Sequence, residues 1–171
     1  MITIVPCTSS GCAAVAGLWN AKRLDWASCW HEADAVDEAY ITGLLAGGFE
    51  IAIAEIDDSP VGFGLWGGPA GTARLVALAA DDDEVYYRLL GAFCDWGLML
   101  GAENGYAEIG TAATTERGRM DELGVIEYVA VGFEPILPDQ DPAERVPKLL
   151  RVECNLEVLK NAVSEILEPA P

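Results

Sequence analysis

The spacing of apolar positions changes several times along the chain, and each change predicts an element. "ITIVPC" reads as a first strand, after which Val15, Leu18, Trp19 and Lys22 recur at helical spacing with Ser9 or Ser10 as the N-cap. "LDWASCWH" is irregular and aromatic. Residues 33–46 carry a second helical pattern that stops at Gly47-Gly48, as helices often do. "FEIAIAEI" and "VGFGLWGG" alternate on either side of the turn "DDSP", and "TARLVALA" adds a third strand, which predicts an antiparallel meander. From Val85 the period becomes helical again, with Leu89, Phe93, Trp96 and Leu100 on one stripe. "YAEIGTAA" is a strand and "RMDELGVIEYVAV" a short helix stopped at Gly132. "FEPILP" and "KLLRVECNLEVL" are strands, and Leu159, Val163 and Ile166 suggest a last short helix in a tail that frays over 162–171.

This order predicts an α/β (α+β) fold in one domain over residues 1–171, with a mixed, largely antiparallel central sheet flanked by helices. Gly62-Phe63-Gly64-Leu65-Trp66-Gly67 matches a dinucleotide fingerprint in letters only. It lies inside a strand, whereas that fingerprint must open a helix directly after one. Its glycines are expected to mark bulges or a close approach to the backbone.

Composition narrows the function. With 28 acidic and 10 basic residues the formal charge is −18. That opposes direct nucleic-acid binding, which needs a cationic face, and favours a basic protein partner or simply a well-solvated surface. Apolar runs end well short of membrane-spanning length and no basic-then-apolar leader opens the chain, so a cytoplasmic protein with no membrane contact is expected. Five cysteines (7, 12, 29, 94 and 154) form no CxxC pair and suit a reduced compartment; Cys94 sits in an apolar helical stretch and is expected in the core. One histidine, His31, excludes a multi-histidine zinc site, and no metal is expected; a Cys–His pair using it has no local support.

Chemistry concentrates in two stretches. "EYVAVGF", residues 127–133, sets a tyrosine five residues before Phe133. "RLVALAADDDEVYYRLL", residues 74–90, runs a strand through Asp81, Asp82, Asp83 and Glu84 into a helix. Together with the element order, these stretches resemble the GNAT superfamily of acyl-CoA-dependent N-acyltransferases over nearly the whole chain. The resemblance implies that Tyr128 is the general acid that protonates the departing CoA thiolate, a role suited to a phenol. It makes Glu108 the best substitute for a general base. It also makes Val76, Leu78 and the Asp81–Glu84 turn the cofactor-binding positions.

At that turn the family carries Arg/Gln-x-x-Gly-x-Gly/Ala, whose bare amides wrap the CoA pyrophosphate. Here the arginine position is Asp81, the glycine positions are Glu84 and Tyr86, and Asp82 and Asp83 fall between. Asp81 and Glu84 read as a capping box that supplies the helix with its own anion. A pyrophosphate would meet like charges at roughly 0.7 kcal/mol each in water at about 6 Å, and the side chains of Glu84 and Tyr86 would stand in its way. The asparagine often found twelve residues before the Gly-Phe phenylalanine is Asp121, and the link from Ile109 to Tyr128 is longer than usual.

Three functions follow. The foremost is a non-catalytic binding or structural protein with no cofactor, a basic protein partner and room for a homo-oligomer. Divergent relatives of this kind occur in bacteria and tailed phages, which would make it virion-associated if phage-encoded. The alternative is an active acetyl-CoA-dependent N-acetyltransferase acting on a cationic amine through Tyr128 and Glu108. The third is an acidic mimic of nucleic acid.

Overall fold

Isoleucines alternating with alanines in residues 50–56 and aromatics alternating with glycines in 59–67 give two strands with buried faces, and these pair as the meander requires. The computed structural model describes residues 1–22, 35–69, 71–110, 114–133, 138, 141 and 147–168. Its strands are β1 (Ile2–Pro6), β2 (Glu50–Ile56), β3 (Ser59–Gly67), β4 (Ala73–Ala80), β5 (Asn104–Gly110), β6 (Glu127–Phe133) and β7 (Pro147–Asn155). They form one sheet in the order β1-β2-β3-β4-β5-β7-β6. Among the described residues only the β4–β5 pair is parallel. The mixed, largely antiparallel α/β domain therefore forms as expected. Helices α1 (Cys12–Lys22) and α2 (Glu38–Ala46) cover one face; α3 (Asp83–Met99), α4 (Thr114–Leu123) and α5 (Leu156–Leu167) cover the other.

One irregularity in β4 shapes the centre of the molecule. Leu65 of β3 lies opposite Ala77 and Trp66 opposite Leu75, which leaves Val76 as an extra residue on β4. Strict alternation would put Ala73, Leu75, Ala77 and Ala79 on one face. The bulge instead sends Ala73 and Leu75 toward α3 and turns Ala77 and Ala79 toward α1. Glycines in β3 make room for what is packed there. A Cβ at Gly62 would meet the Ala79 carbonyl oxygen at 2.8 Å, and one at Gly64 would meet the Trp66 ring at 2.4 Å. Bulge and close approach, the two uses expected of these glycines, both occur. Cys94 is buried in the core as expected.

Several elements differ from their pattern. Residues 35–37 precede α2, which starts at Glu38 because the Asp37 carboxylate accepts from the Tyr40 N–H and caps it there. Ser9 and Ser10 lie in a 3-10 turn ahead of α1 and do not cap it. Leu100 ends the α3 stripe outside the core, half exposed. The run expected as one helix over "RMDELGVIEYVAV" divides: α4 ends at Leu123, Gly124 takes φ +66°, and residues 127–133 become strand β6 against β7. β-Branched Val129 and Val131 suit that pleated edge better than a helix. "KLLRVECNLEVL" also divides, because the Asn155 side chain accepts from the N–H groups of Glu157 and Val158 and starts α5. Residues 162–167, expected to fray, are helical, and Val163 is buried against the core. Most of "FEPILP", together with His31 and Cys29, lies outside the described residues.

Candidate functional site

Each carboxylate of the β4–α3 turn has its own partner. Asp82 is the N-cap of α3: its Oδ1 accepts from the N–H of Glu84 at 2.8 Å and of Val85 at 3.3 Å. The next amide, of Tyr86, donates to the Asp82 carbonyl. Asp81 pairs with Lys22 at the end of α1. Asp83 accepts from Arg119 Nε at 2.8 Å, and Glu84 pairs with Arg88 one turn along at 2.7 Å. The expected capping box of Asp81 with Glu84 does not form, since the cap falls one residue later and Glu84 turns to Arg88. Three of the four carboxylates face a cation, so the turn carries little uncompensated charge and its amides are occupied rather than merely repelled from anions.

Arg119 ties the turn to α4. It is 8% exposed, and besides Asp83 its Nη1 donates to the Ala80 carbonyl and its Nη2 to the Asp81 carbonyl, both at 3.1 Å. Its guanidinium lies 4.8 Å from the centre of the Tyr86 ring. Carbonyls at the end of a strand otherwise need a partner when they are covered, and a planar fork with five N–H groups can serve several at once.

Beside the turn the sheet opens. Strands β4 and β5 pair only at Ala73–Gly105, Arg74–Tyr106 and Leu75–Ala107. Beyond the Val76 bulge they part, and Glu108, Ile109 and Gly110 pair only with β7. The gap is walled by Val76, Leu78, Ile109 and Met120, with Tyr86, Glu108 and Glu116 adding polar atoms. Tyr86 is 1% exposed. Its side chain therefore fills the interior rather than blocking the outer approach to the turn, as its position had suggested. Its hydroxyl is buried with no hydrogen-bond partner, and its pKa is pushed up by burial first and by the Glu116 carboxylate next. Glu108 is half-buried, and Arg74 Nη2 stands 3.4 Å from its Oε2.

Tyr128 lies elsewhere. It sits on β6, the sheet edge two strands beyond β5, and is not part of the gap wall. Its hydroxyl donates to Asp121 Oδ1 at 2.8 Å. Burial and that hydrogen bond both hold its pKa above the usual phenol value. The structure thus gathers Val76, Leu78 and Glu108 at the gap, sets Asp81–Glu84 at its end, and leaves Tyr128 apart. Sequence reasoning missed Arg119 and Glu116, did not see Lys22 as the partner of Asp81, and set Tyr86 against the turn rather than in the gap wall. Tyr86 had a signal, since it precedes Leu89 and Phe93 at core spacing; Arg119 on a polar helix had none. Among the described residues no group of three metal-ligating side chains occurs, and no helix is long and apolar enough to cross a membrane.

No family model matches the sequence, and none of the curated proteins compared with it matches either. Solved structures do match. One, from Salmonella typhimurium, is described as an acetyltransferase with its cofactor acetyl-CoA; it is 16% identical with a TM-score of 0.69, covering 91% of this chain and 94% of that one. The ribosomal-protein-alanine N-acetyltransferase from Brucella melitensis is 16% identical with a TM-score of 0.68, covering 90% and 99%. A structure from Desulfovibrio desulfuricans described as a GNAT-family acetyltransferase is 15% identical with a TM-score of 0.65, covering 91% and 99%. At such identities the likeness establishes the fold.

Proposed function

We propose that this chain, which has the GNAT fold, uses it as a binding or structural scaffold for a basic protein partner and has given up conventional acyl-CoA binding. The observation that carries this is the Asp82 carboxylate, which takes the Glu84 and Val85 amides at the helix start where a diphosphate would need them. Arg119 supports the same reading, because it occupies the Ala80 and Asp81 carbonyls at the exit of the β4–β5 gap. The formal charge of −18 favours a cationic partner. Titration calorimetry with acetyl-CoA tests the proposal: the native chain should give no binding heat, and a micromolar dissociation constant would overturn it.

A second reading is an active N-acetyltransferase acting on a cationic amine. The parting of β4 and β5 favours it, since an open strand edge can pair with an amide-bearing chain. In that reading Glu108, at the gap, is the base. Tyr128 would have to give up a proton that Asp121 already engages. Acetyl transfer that is lost in Glu108→Gln and kept in Tyr128→Phe would establish it.

A further inference from the structure

Strand β6 ends the sheet. β7 pairs along one of its sides, and among the described residues nothing pairs along the other. The opposite edge strand, β1, is shorter and finishes on Pro6, which lacks an N–H. β6 runs seven residues, "EYVAVGF", with no lysine or proline to discourage a further strand. Its ladder to β7 is regular from Glu127 to Ala130 and shifts only beyond that point. Val129 and Val131 are 57% and 42% exposed. On the scaffold reading, on which this rests, we propose that the basic partner docks here by adding an extended, cationic strand to the β6 edge.

Charge decides which strand fits. Glu127, at the start of β6, is exposed and lies opposite Glu153 of β7. Asp121 and Glu122, near the end of α4, are exposed too. They accept from the hydroxyls of Tyr128 and Tyr87. Among the described residues none of Asp121, Glu122 and Glu127 has a cation within ion-pair distance. Close by stand Arg151, which Glu153 holds at 3.1 Å, and Arg117, whose charge reaches the Tyr128 phenol. The balance at this end of the strand is acidic.

The pleat then sets where the partner's side chains go. Tyr128 points toward α4, where its hydroxyl meets Asp121, so Glu127 and Val129 on either side point the other way. A strand laid along β6 has the same alternation. Lysines or arginines on one face meet Asp121 and Glu122, and aliphatic residues on the other cover Val129. A second copy of this chain could also use a bare edge, but each copy brings the same acidic end and a formal charge of −18. A cationic strand gains where a second copy loses.

Fluorescence anisotropy would follow a labelled hexapeptide of alternating lysine and valine, blocked at both ends, added to the full chain at about 0.15 M salt. Binding is expected, weaker by about tenfold in Val129→Lys and by several-fold in Asp121→Asn, which keeps the Tyr128 hydrogen bond and loses the charge. Glu50→Lys, at an exposed position on β2, alters the net charge by more and should bind as the native chain does. Circular dichroism checks that each variant folds. The same hexapeptide methylated at every backbone nitrogen keeps its charges without its N–H donors and should not bind. Silence of the lysine–valine peptide overturns the inference, as does equal binding of the methylated one or an equal loss in Glu50→Lys and Val129→Lys. A native chain that sediments as a dimer, with Val129→Lys a monomer, overturns it in favour of a second copy. Acetyl-CoA is titrated separately: heat from it counts against the scaffold reading, and the peptide reports on the edge whichever way that falls.

Discussion

Arg119 on α4 and Asp83 at the start of α3 meet with Nε 2.8 Å from Oδ1, although 36 residues separate them in the chain. The same guanidinium spans the carbonyls of Ala80 and Asp81. One side chain thus joins the end of a strand, the start of a helix and a second helix that is otherwise mostly polar.

Replacing Arg119 should therefore loosen more than an ion pair. Asp83 is largely exposed, so the pair itself is worth little. The covered carbonyls matter more, and Arg119→Met should cost about 2 kcal/mol. Arg119→Lys should recover only part of this, because an ammonium cannot reproduce the fork. Urea denaturation of the two variants against the native chain measures both.

Asp82→Ala removes the acceptor for two first-turn amides of a helix 17 residues long. A loss of about 1 kcal/mol is expected, which for a chain of this size lowers Tm by about 2–4 °C. Asp81→Ala, which lacks that capping role, should stay within about 0.5 kcal/mol. Equal losses in a thermal melt would mean that the cap has been assigned to the wrong residue.

Alkaline pH probes the three tyrosines around α4. Tyr86, Tyr87 and Tyr128 all have phenols raised above the usual value of 10.0, each chiefly by burial. Glu122 and Asp121 add to this by accepting the protons of Tyr87 and Tyr128. A raised folded-state pKa contributes stability that is complete below the unfolded pKa and is lost as pH climbs through the folded one. Stability should thus decline above about pH 10. In a near-ultraviolet titration three of the five tyrosines should resist ionisation until the chain unfolds. Ionisation of all five with the far-ultraviolet spectrum intact would refute this.

Gly62→Ala tests the packing of β3 on β4. The added methyl would press on a backbone oxygen, Ala79 O at 2.8 Å, and on Val85 Cγ1 at 2.9 Å. Backbone cannot turn aside as a side chain can, so a loss of about 1–3 kcal/mol is expected. Gly43→Ala, where nothing stands within 4 Å on α2, should be neutral or stabilising because alanine suits a helix better. Parallel melts of the two variants decide it.

Much of this protein was legible from the chain alone. Alternation in residues 50–80 fixed the meander, and the Leu89–Phe93–Trp96 stripe fixed the central helix, because each element buries one face and repeats it at its own period. The run of four carboxylates at Asp81–Glu84 was equally plain, since it depends only on residue identity at a strand-to-helix junction. Contacts between distant segments were not. Nothing local says that Val76 bulges, that residues 127–133 pair with β7 instead of coiling, or that Lys22 and Arg119 reach the turn from 59 and 36 residues away. Those choices were made when the sheet closed, since a strand's register and a charge's partner depend on which surfaces the whole fold brings together.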